Sequence, residues 1–552
     1  MCGITGIVWQ SGAGRVSRKQ FDAMTDLLAH RGPDGRGIHW HDAPDGSGAA
    51  LGHRRLSIID LGGGAQPMCN EDGSIWIAFN GEIYNYRELR PSLEAKGHRF
   101  RSHSDTETII HLYEEYGDNC LEHLRGMFAI AIWDTPRRRL LLARDRLGQK
   151  PLVYAQTPNR LFFASELKSL AAIPGVCENI RPQAIDEYLT YGYIPHPHTI
   201  YQGVHKLAPA HYAIYENGRL EIQRYWNPQL QPRQDLPRLQ AEERLHEVVD
   251  EAVKLRLRSD VPLGAFLSGG IDSTVIVGAM QRHNTQHVNT FTIGFPVPEF
   301  DESKFALEVA EYLGTNHQRL EMRPDSLDVL EKLVWLFDEP FADSSAIPTY
   351  YLSQMTREHV KVALTGDGGD ELFAGYDRHW TVHQLGTFDG LPRMLKRAMT
   401  GIWVDWIPDG AQRSARMRLK NRLSILREPP AQRYVSWLTQ FATPVRQKLY
   451  RPEFLEQIDV DESVSFVSDI IRNLPAMDAG LKAMRADLLT YLPGDLLAKV
   501  DITSMAHGLE CRSPFLDHRV VECALDMPFP LLAKAGQIKP MLTGTFASYI
   551  PT

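Results

Sequence analysis

The sequence predicts two folds in tandem: an α+β unit built on hairpins, then a doubly wound α/β unit. Three observations carry this. The chain has 552 residues, more than one hydrophobic core normally organises. Roughly its first two hundred residues read mostly as strand-length apolar runs with few helices. A strand, glycine loop, helix, strand order then begins only beyond a break rich in Pro and Gln.

Within the first unit, "SIWIAFNGEIYN" alternates toward an expected Asn80-Gly81 turn. "DTETIIHLYEEYG" has helical spacing with Gly117 as its stop. "MFAIAIWD" and "RRLLLARD" read as paired strands, and "NRLFFASELKSL" repeats the style. Hairpins without a strict βαβ alternation define the α+β class. The break is "NPQLQPRQDLPRLQ", residues 227–240. It divides the chain into 1–226 and 241–552. After it, "AEERLHEVVDEAVKLRLRSD" is an amphipathic helix with Leu245, Val248, Val249, Ala252 and Val253 on one face. "VPLGAFLSGGIDSTVIVGAM" and "VNTFTIGF" supply strand, loop, helix and strand, and "VKVALTGDGGDELFAGY" a later strand ending in a Gly/Asp loop. Residues 377–473 read as helical and Arg-rich, without an assignable motif.

Composition narrows the class. The chain is 43% hydrophobic and 23% charged, which fits a folded globular protein, and its net charge of −8 is unlike that of a cationic nucleic-acid binder. No run approaches the ~18 apolar residues of a membrane helix, and the N-terminus lacks a secretory pattern. The six cysteines are scattered without a CxxC pair, which suits a reducing, cytoplasmic setting.

Three constellations could carry chemistry. In "LSGGIDS", Ser268, Gly269, Gly270, Asp272 and Ser273 lie between a strand and a helix, where backbone N–H groups and the helix N-terminus favour a phosphate. No GxxxxGK[ST] occurs, so this is not a Walker A loop. An isolated GG turn would be ordinary; the strand, helix and two flanking serines together point to an anion site. In "LTGDGGDE", Asp367, Asp370 and Glu371 bracket glycines at a strand's end, where carboxylates suit Mg²⁺ beside phosphates. Read alone, this is a tight Asp-Gly turn; a second nucleotide loop follows from the presence of the first.

The third constellation begins at Cys2. With Met1 removed, thiol and α-amine share one residue, and the amine can serve as a local base. An amide attacked by that thiol needs an oxyanion hole, which the Asn80 side chain and Gly81 N–H would supply. Arg55 suits a substrate carboxylate, and Glu82 and Asp105 an ammonium. "HWH" and "HPH" lack carboxylate or Cys partners at ligand spacing and are set aside as zinc sites.

Together, "MCGITGI", "HRGPDG", "HRRLSIIDL", "FNGEIYNY", "SDTE", "ARDRLGQKPL", "LSGGIDS", "LTGDGGDELFAGY" and "SMAHGLECRSPFLD" make the chain resemble the B-type glutamine-hydrolysing asparagine synthetases over nearly its whole length. The resemblance implies an N-terminal-nucleophile αββα glutaminase domain (1–226) followed by a PP-loop ATP-pyrophosphatase domain (241–552). It implies that Cys2 attacks glutamine, with Asn80 and Gly81 at the oxyanion and Arg55, Glu82 and Asp105 on the substrate's backbone groups. Ser268, Gly269, Gly270, Asp272 and Ser273 would cradle the ATP pyrophosphate, Leu267 and Ile293 line the adenine site, and Thr365 and Gly366 lie alongside. Mg²⁺ would be held by Asp272 and Asp370. The implied substrates are glutamine, aspartate and ATP; nucleic acid and membrane are not expected, and the resemblance leaves a homodimer open.

Three departures stand out. Asp367 replaces the Glu that some members carry at the residue associated with acyl-adenylate formation. "GQIKPMLTGTF" matches a family lysine motif at Lys539, expected to contact pyrophosphate or the intermediate, but Thr543 stands where Arg is usual. The chain stops at "SYIPT", close to where the family continues with a basic helical segment, so a short variant or a lost C-terminus is expected. A runner-up within the enzymes is a related amide-forming enzyme acting on another carboxylate, and an alternative from a different class is a non-catalytic nucleotide-binding scaffold.

Overall fold

The computed structural model describes every residue except 1, 14–15, 229–231, 297–298, 300, 323–325, 405, 408–419, 421–422 and 552. The N-terminal unit contains two six-stranded antiparallel sheets. Spatial order in the first is 204–206, 153–157, 160–164, 3–9, 48–55, 35–42; in the second it is 219–224, 211–216, 139–144, 126–134, 75–83, 68–69.

The strand Gly126–Asp134 shows why its sequence is apolar at nearly every position. Ala129, Ala131 and Trp133 point between the sheets, where they meet Ile4, Val8, Leu51, Leu142 and Phe163. Phe128, Ile130 and Ile132 point outward to Ile109 and Ile110 of helix Asp105–Tyr116. The opposite outer face packs Phe21 and Met24 of helix Arg18–Asp26 and Leu170 of helix Leu167–Ala171. Sheets covered on both faces by sheet or helix give the expected four-layer αββα sandwich.

The structure corrects one expectation here. Asn80 and Gly81 form no turn: they lie inside the strand Ile75–Ile83, opposite Ala129 and Phe128. The dipeptide favours a turn only locally. In the sheet, Gly81 is required because a Cβ there would lie 2.0 Å from the Met127 carbonyl oxygen.

The second unit holds a five-stranded parallel sheet in the order 316–321, 289–294, 263–266, 362–364, 510–512. From Leu263–Phe266 the next strand lies on one side, and Val362–Leu364 on the other. The chain therefore reverses direction across the sheet between these two neighbours, and a crevice opens beyond their carboxyl ends. The amphipathic helix is Arg238–Arg256, with Leu245, Val249, Ala252 and Val253 buried as expected and Val248 partly so. Helix Ile271–His283 follows the SGG loop.

Residues 377–473 are largely helical where described, with helices at 377–386, 393–399, 430–438, 443–449, 452–455 and 460–473. Residues 408–419 and 421–422 of that segment lie outside the described part. No helix among the described residues is long and apolar enough to cross a membrane.

The units share one core. Leu56, Ile58, Tyr84, Met127 and Leu147 of the first pack into the same apolar cluster as Leu267, Leu497 and Met505 of the second. Leu161 sits between the antiparallel sheets without solvent contact. Leu161→Ala is expected to destabilise the N-terminal unit by about 2–5 kcal/mol, read as a lowered urea midpoint at unchanged m.

Candidate active sites

Cys2 directly precedes the strand Gly3–Trp9 and is buried. Its N–H donates to Asn80 Oδ1 at 2.9 Å, and its carbonyl accepts from Arg31 Nε at 3.1 Å. With Oδ1 used this way, Asn80 Nδ2 is a buried donor with no hydrogen-bond partner. Burial raises the Cys2 thiol pKa; the chain's positive amino terminus and the Leu56 N–H work against that shift.

Around this cysteine stand the other predicted residues. Asp105 begins helix Asp105–Tyr116 and accepts the Ile83 N–H at 2.8 Å, which ties the helix to the end of Asn80's strand. Burial lifts Asp105 to about 6. Glu82 is raised well above its ordinary value by burial and by Glu510. Its Oε1 lies 3.4 Å from Arg512 Nη2, and Oε2 is buried without a hydrogen bond. Arg55, the residue suited to a substrate carboxylate, is anchored by backbone carbonyls. Its guanidinium donates to the carbonyls of Ile59 (3.2 Å), Asp60 (2.7 Å) and Leu61 (3.2 Å).

Several residues here were not anticipated. Arg31 is wholly buried and reaches Glu166 at 2.8 Å and Asp501 of helix Leu497–Met505 at 2.7 Å. Lys150 meets the other Asp501 oxygen at 3.1 Å. Burial would raise Asp501, but Arg31 and Lys150 outweigh it and hold the carboxyl below its ordinary range. Between the units lies a cavity of about 90 Å³ whose walls include Gln149, Glu166, Tyr193, Leu336, Leu497 and Asp501. Spacing along the chain gives no sign of such pairs, because the partners are hundreds of residues apart.

The second site forms at the parallel sheet's crevice. Ser268 and Ser273 hydroxyls are 3.0 Å apart, and Gly270 N–H donates to Ser268 Oγ at 3.2 Å, folding the loop over the helix N-terminus. Gly269 has φ +79°, and a Cβ there would lie 2.5 Å from Ala306 N, so both conformation and space demand glycine. A Cβ on Gly369 would lie 2.4 Å from Asp272 Cγ, showing how tightly the two glycine loops face each other. Leu267 is buried at the first strand's end, donating to Phe291 O at 2.9 Å, and Ile293 lies half-buried on the neighbouring strand.

Asp272 and Asp370 share the ammonium of Lys539, which is 2.7 Å from Asp370 and in direct contact with Asp272. Burial raises Asp272 to about 6 against the pull of Lys539, and its Oδ1 is buried and unpartnered. Two carboxylates already gathered on a cation, with one oxygen unused, form a donor set that fits a hard divalent ion. Glu371 does not join them: Tyr376 OH donates to it at 2.6 Å, and burial lifts it to about 8. Asp367 accepts from Thr365 Oγ1 at 2.6 Å and from Ser513 Oγ at 3.4 Å, and burial raises its pKa too. Beside them, Lys499 bridges Asp343 (2.6 Å) and Ser345 (2.7 Å), a pairing the sequence did not announce. Thr543 returns its hydroxyl to Lys539 O at 3.2 Å.

A sheet-sandwich unit with a buried near-terminal cysteine, fused to a parallel-sheet unit with paired glycine loops, defines a glutamine-dependent ligase. The family described as "Glutamine amidotransferase domain" matches residues 1–226, and "Asparagine synthase" matches residues 244–552. "Asparagine synthetase [glutamine-hydrolyzing] 1" of Bacillus subtilis is 35% identical, the match covering 100% of this chain and 85% of that protein. "Putative asparagine synthetase [glutamine-hydrolyzing] 2" of Methanocaldococcus jannaschii is 35% identical over 83% of this chain and 91% of that one. "Amidase chry2" of Gibberella zeae is 31% identical over 96% and 83%. The chain belongs to the glutamine-hydrolysing asparagine synthetase family.

Breaking the Arg31 cluster from one side leaves buried carboxylates short of a cation. Arg31→Met is expected to cost roughly 3 kcal/mol. In a double-mutant cycle of denaturant unfolding, Arg31→Met with Asp501→Leu should cost less than the sum of the two single changes, the difference being the pair's coupling energy, while Lys150 and Glu166 keep the double variant below the parent.

Proposed function

We propose that the chain makes asparagine from aspartate, ATP and glutamine-derived ammonia, releasing glutamate, AMP and pyrophosphate, in the cytoplasm. Residues 1–226 act as the glutaminase and 241–552 as the synthetase, joined by 227–240. The observation that carries this is the unpaired Asn80 Nδ2 beside Cys2 in a chain that also holds the Asp272–Lys539–Asp370 loop pair.

At the first site the Cys2 thiolate attacks the glutamine side-chain carbonyl. Asn80 Nδ2 and Gly81 N–H receive the developing oxyanion, where a preorganised buried donor acts strongly. Asp105 and Glu82 offer negative charge to the substrate ammonium. Arg55 meets its carboxylate from beside the 59–61 carbonyls that already hold the guanidinium in place. Collapse of the tetrahedral species expels ammonia, and water then releases glutamate from the thioester.

At the second site Ser268, Gly269, Gly270, Asp272 and Ser273 hold the ATP pyrophosphate, with Leu267 and Ile293 along the adenine and Thr365 and Gly366 beside the nucleotide. Asp272 and Asp370 would hold Mg²⁺, which supplies positive charge against the phosphates. The aspartate side-chain carboxylate attacks the α-phosphorus, pyrophosphate leaves, and β-aspartyl-AMP forms. Lys539 steadies the departing charge and Asp367 sits beside the acyl-adenylate. Ammonia attacks the activated carbonyl and AMP leaves. A free carboxylate resists amines at neutral pH, hence the adenylation. Ammonia in water at that pH is mostly ammonium, hence a route through the shared apolar layer of Leu56, Met127, Leu267 and Leu497.

The direct test is pyrophosphate release with Mg-ATP and ammonium chloride over a panel of carboxylates. Release with aspartate, with asparagine as product, supports the proposal; release only with another acid replaces the substrate. No release with any acid, or release unchanged by Asp272→Asn, would overturn the synthetase half.

Cys2→Ala should abolish glutamine-dependent synthesis while ammonium-dependent synthesis persists. Asn80→Ala should lower glutaminase kcat by about 10²–10³. Asp105 is neutral below its pKa of about 6, so the KM for glutamine should rise as pH falls through that value. A pH-independent KM from 5 to 8 would remove Asp105 from substrate binding (about one unit below and two above its pKa).

A further inference from the structure

At the outer edge of the second antiparallel sheet, away from the residues of both sites, four side chains converge. Glu71 lies in the turn before strand Ile75–Ile83, and His98 follows helix Tyr86–Ala95. His111 and Glu114 stand three residues apart on helix Asp105–Tyr116. Glu71 Oε2 is 4.0 Å from His111 Nδ1, His111 Nδ1 is 2.8 Å from Glu114 Oε2, and that oxygen is 3.4 Å from His98 Nδ1. A tetrahedral ion with bonds of about 2.0–2.1 Å spaces its ligand atoms roughly 3.3–3.4 Å apart. These distances straddle that spacing; Glu71, His98 and His111 each bring one ligand atom to within 4.8 Å of the other two, and Glu114 Oε2 lies against both histidines.

The surroundings are built the same way. Each carboxylate has one oxygen pinned outward: Glu71 Oε1 accepts Arg99 N–H at 3.0 Å, and Glu114 Oε1 accepts Asn70 Nδ2 at 2.8 Å. Both inner oxygens are Oε2. Each histidine turns Nδ1 inward and Nε2 toward a further carboxylate. His98 Nε2 is 3.0 Å from Glu115, and His111 Nε2, buried without a hydrogen bond, is 3.9 Å from Glu107. A carboxylate behind the imidazole is the usual support for a metal-bound histidine, fixing its tautomer and orientation. Glu107 is itself held by Arg101 N–H and Ser102 N–H at 2.7 Å each.

Without an ion, both Nδ1 atoms face the same Glu114 oxygen, with the two rings only 4.7 Å apart. His111 is fully buried, while the side chains of Glu71 and Glu114 are 35% and 20% exposed, leaving entry from solvent.

We propose that Glu71, His98, His111 and Glu114 form a binding site for a zinc-class divalent transition-metal ion in the N-terminal unit, with Glu115 and Glu107 supporting the histidines. Two imidazoles and two carboxylates suit zinc or cobalt better than magnesium, which prefers all-oxygen octahedra.

The test uses the full chain, stripped with chelator and titrated with Co²⁺ alone while its visible spectrum is followed. One equivalent should develop the intense bands of a tetrahedral nitrogen–oxygen site, displaced by Zn²⁺. Cobalt at Asp272 and Asp370 would be octahedral and weakly coloured, and binding by a cysteine would add thiolate charge transfer. His98→Gln and the more exposed Glu71→Gln should each abolish the tetrahedral bands and the rise in Tm that Zn²⁺ gives the parent. Glu115→Gln should weaken binding about tenfold. Absence of tetrahedral bands in the parent, or bands unchanged in folded His98→Gln or Glu71→Gln protein, would overturn the site.

Discussion

The guanidinium of Arg31 has no contact with water, so its charge must be met inside the protein. It is met by the Cys2 carbonyl, Glu166 and Asp501 together. Removing such ions from water costs several kcal/mol each, and only close, well-formed pairing offsets this. The offset exists only if the first strand, the residue capping helix Leu167–Ala171 and helix Leu497–Met505 are all in place. One buried cation thereby couples the backbone at the near-terminal cysteine to the second unit. The same arrangement recurs where Arg125 (2.7 Å) and Arg256 (3.0 Å) enclose Asp517, which they hold far below the ordinary carboxylate range despite its burial. The interface is apolar in its middle and fixed in register by charge.

Strand Glu510–Arg512 extends that coupling. Arg512 presents its guanidinium to Glu510 at 2.6 Å and to Glu82, beside Cys2. Its carbonyl accepts the Thr365 N–H at 2.9 Å, and the next residue, Ser513, bonds Thr365 Oγ1 at 2.8 Å. Three residues of parallel strand therefore touch the surroundings of both sites: side chains on one, backbone on the other. A shift at Glu82 has a continuous packed path to the loop carrying Asp367.

Legibility followed locality. The paired strands Gly126–Asp134 and Arg139–Arg144, the helix stopped at Gly117 and the helix Arg238–Arg256 are all set by patterns within some twenty residues, and the sequence displays them. The SGG loop was legible for the same reason, since strand, loop and helix are consecutive. Asn80-Gly81 was misjudged because turn preference is local while its partner strand begins at Gly126. Arg31, Glu510 and Arg512 stand within "HRGPDG" and "SMAHGLECRSPFLD", but their partners were not legible because a buried ion pair leaves no periodic trace. The Glu71–His98–His111–Glu114 group escaped likewise: its ligands come from a turn, a helix end and a helix face, while "HWH", which has the spacing that draws the eye, instead stacks His39 on Trp76 at 3.7 Å.

The two sites share an electrostatic incompleteness. Asp105 and Glu82 are buried acids held above their ordinary ranges, and one Glu82 oxygen has no hydrogen-bond partner. Asp272 is raised as well, even with Lys539 against it. Desolvation at these positions is only partly offset by the protein's own cations. A group whose carboxylate form is destabilised by burial gains most when an external positive charge arrives, because the ligand then brings the interaction that folding left unmade. On the proposed reading, that charge is the glutamine ammonium at the first site and a divalent ion at the second. The contrast with Asp517 is the useful one. Its cations are supplied by Arg125 and Arg256, and its pKa is depressed rather than raised. Asp517, satisfied by the chain, helps hold the units together, whereas Asp105, Glu82 and Asp272 stand in the two sites short of positive charge.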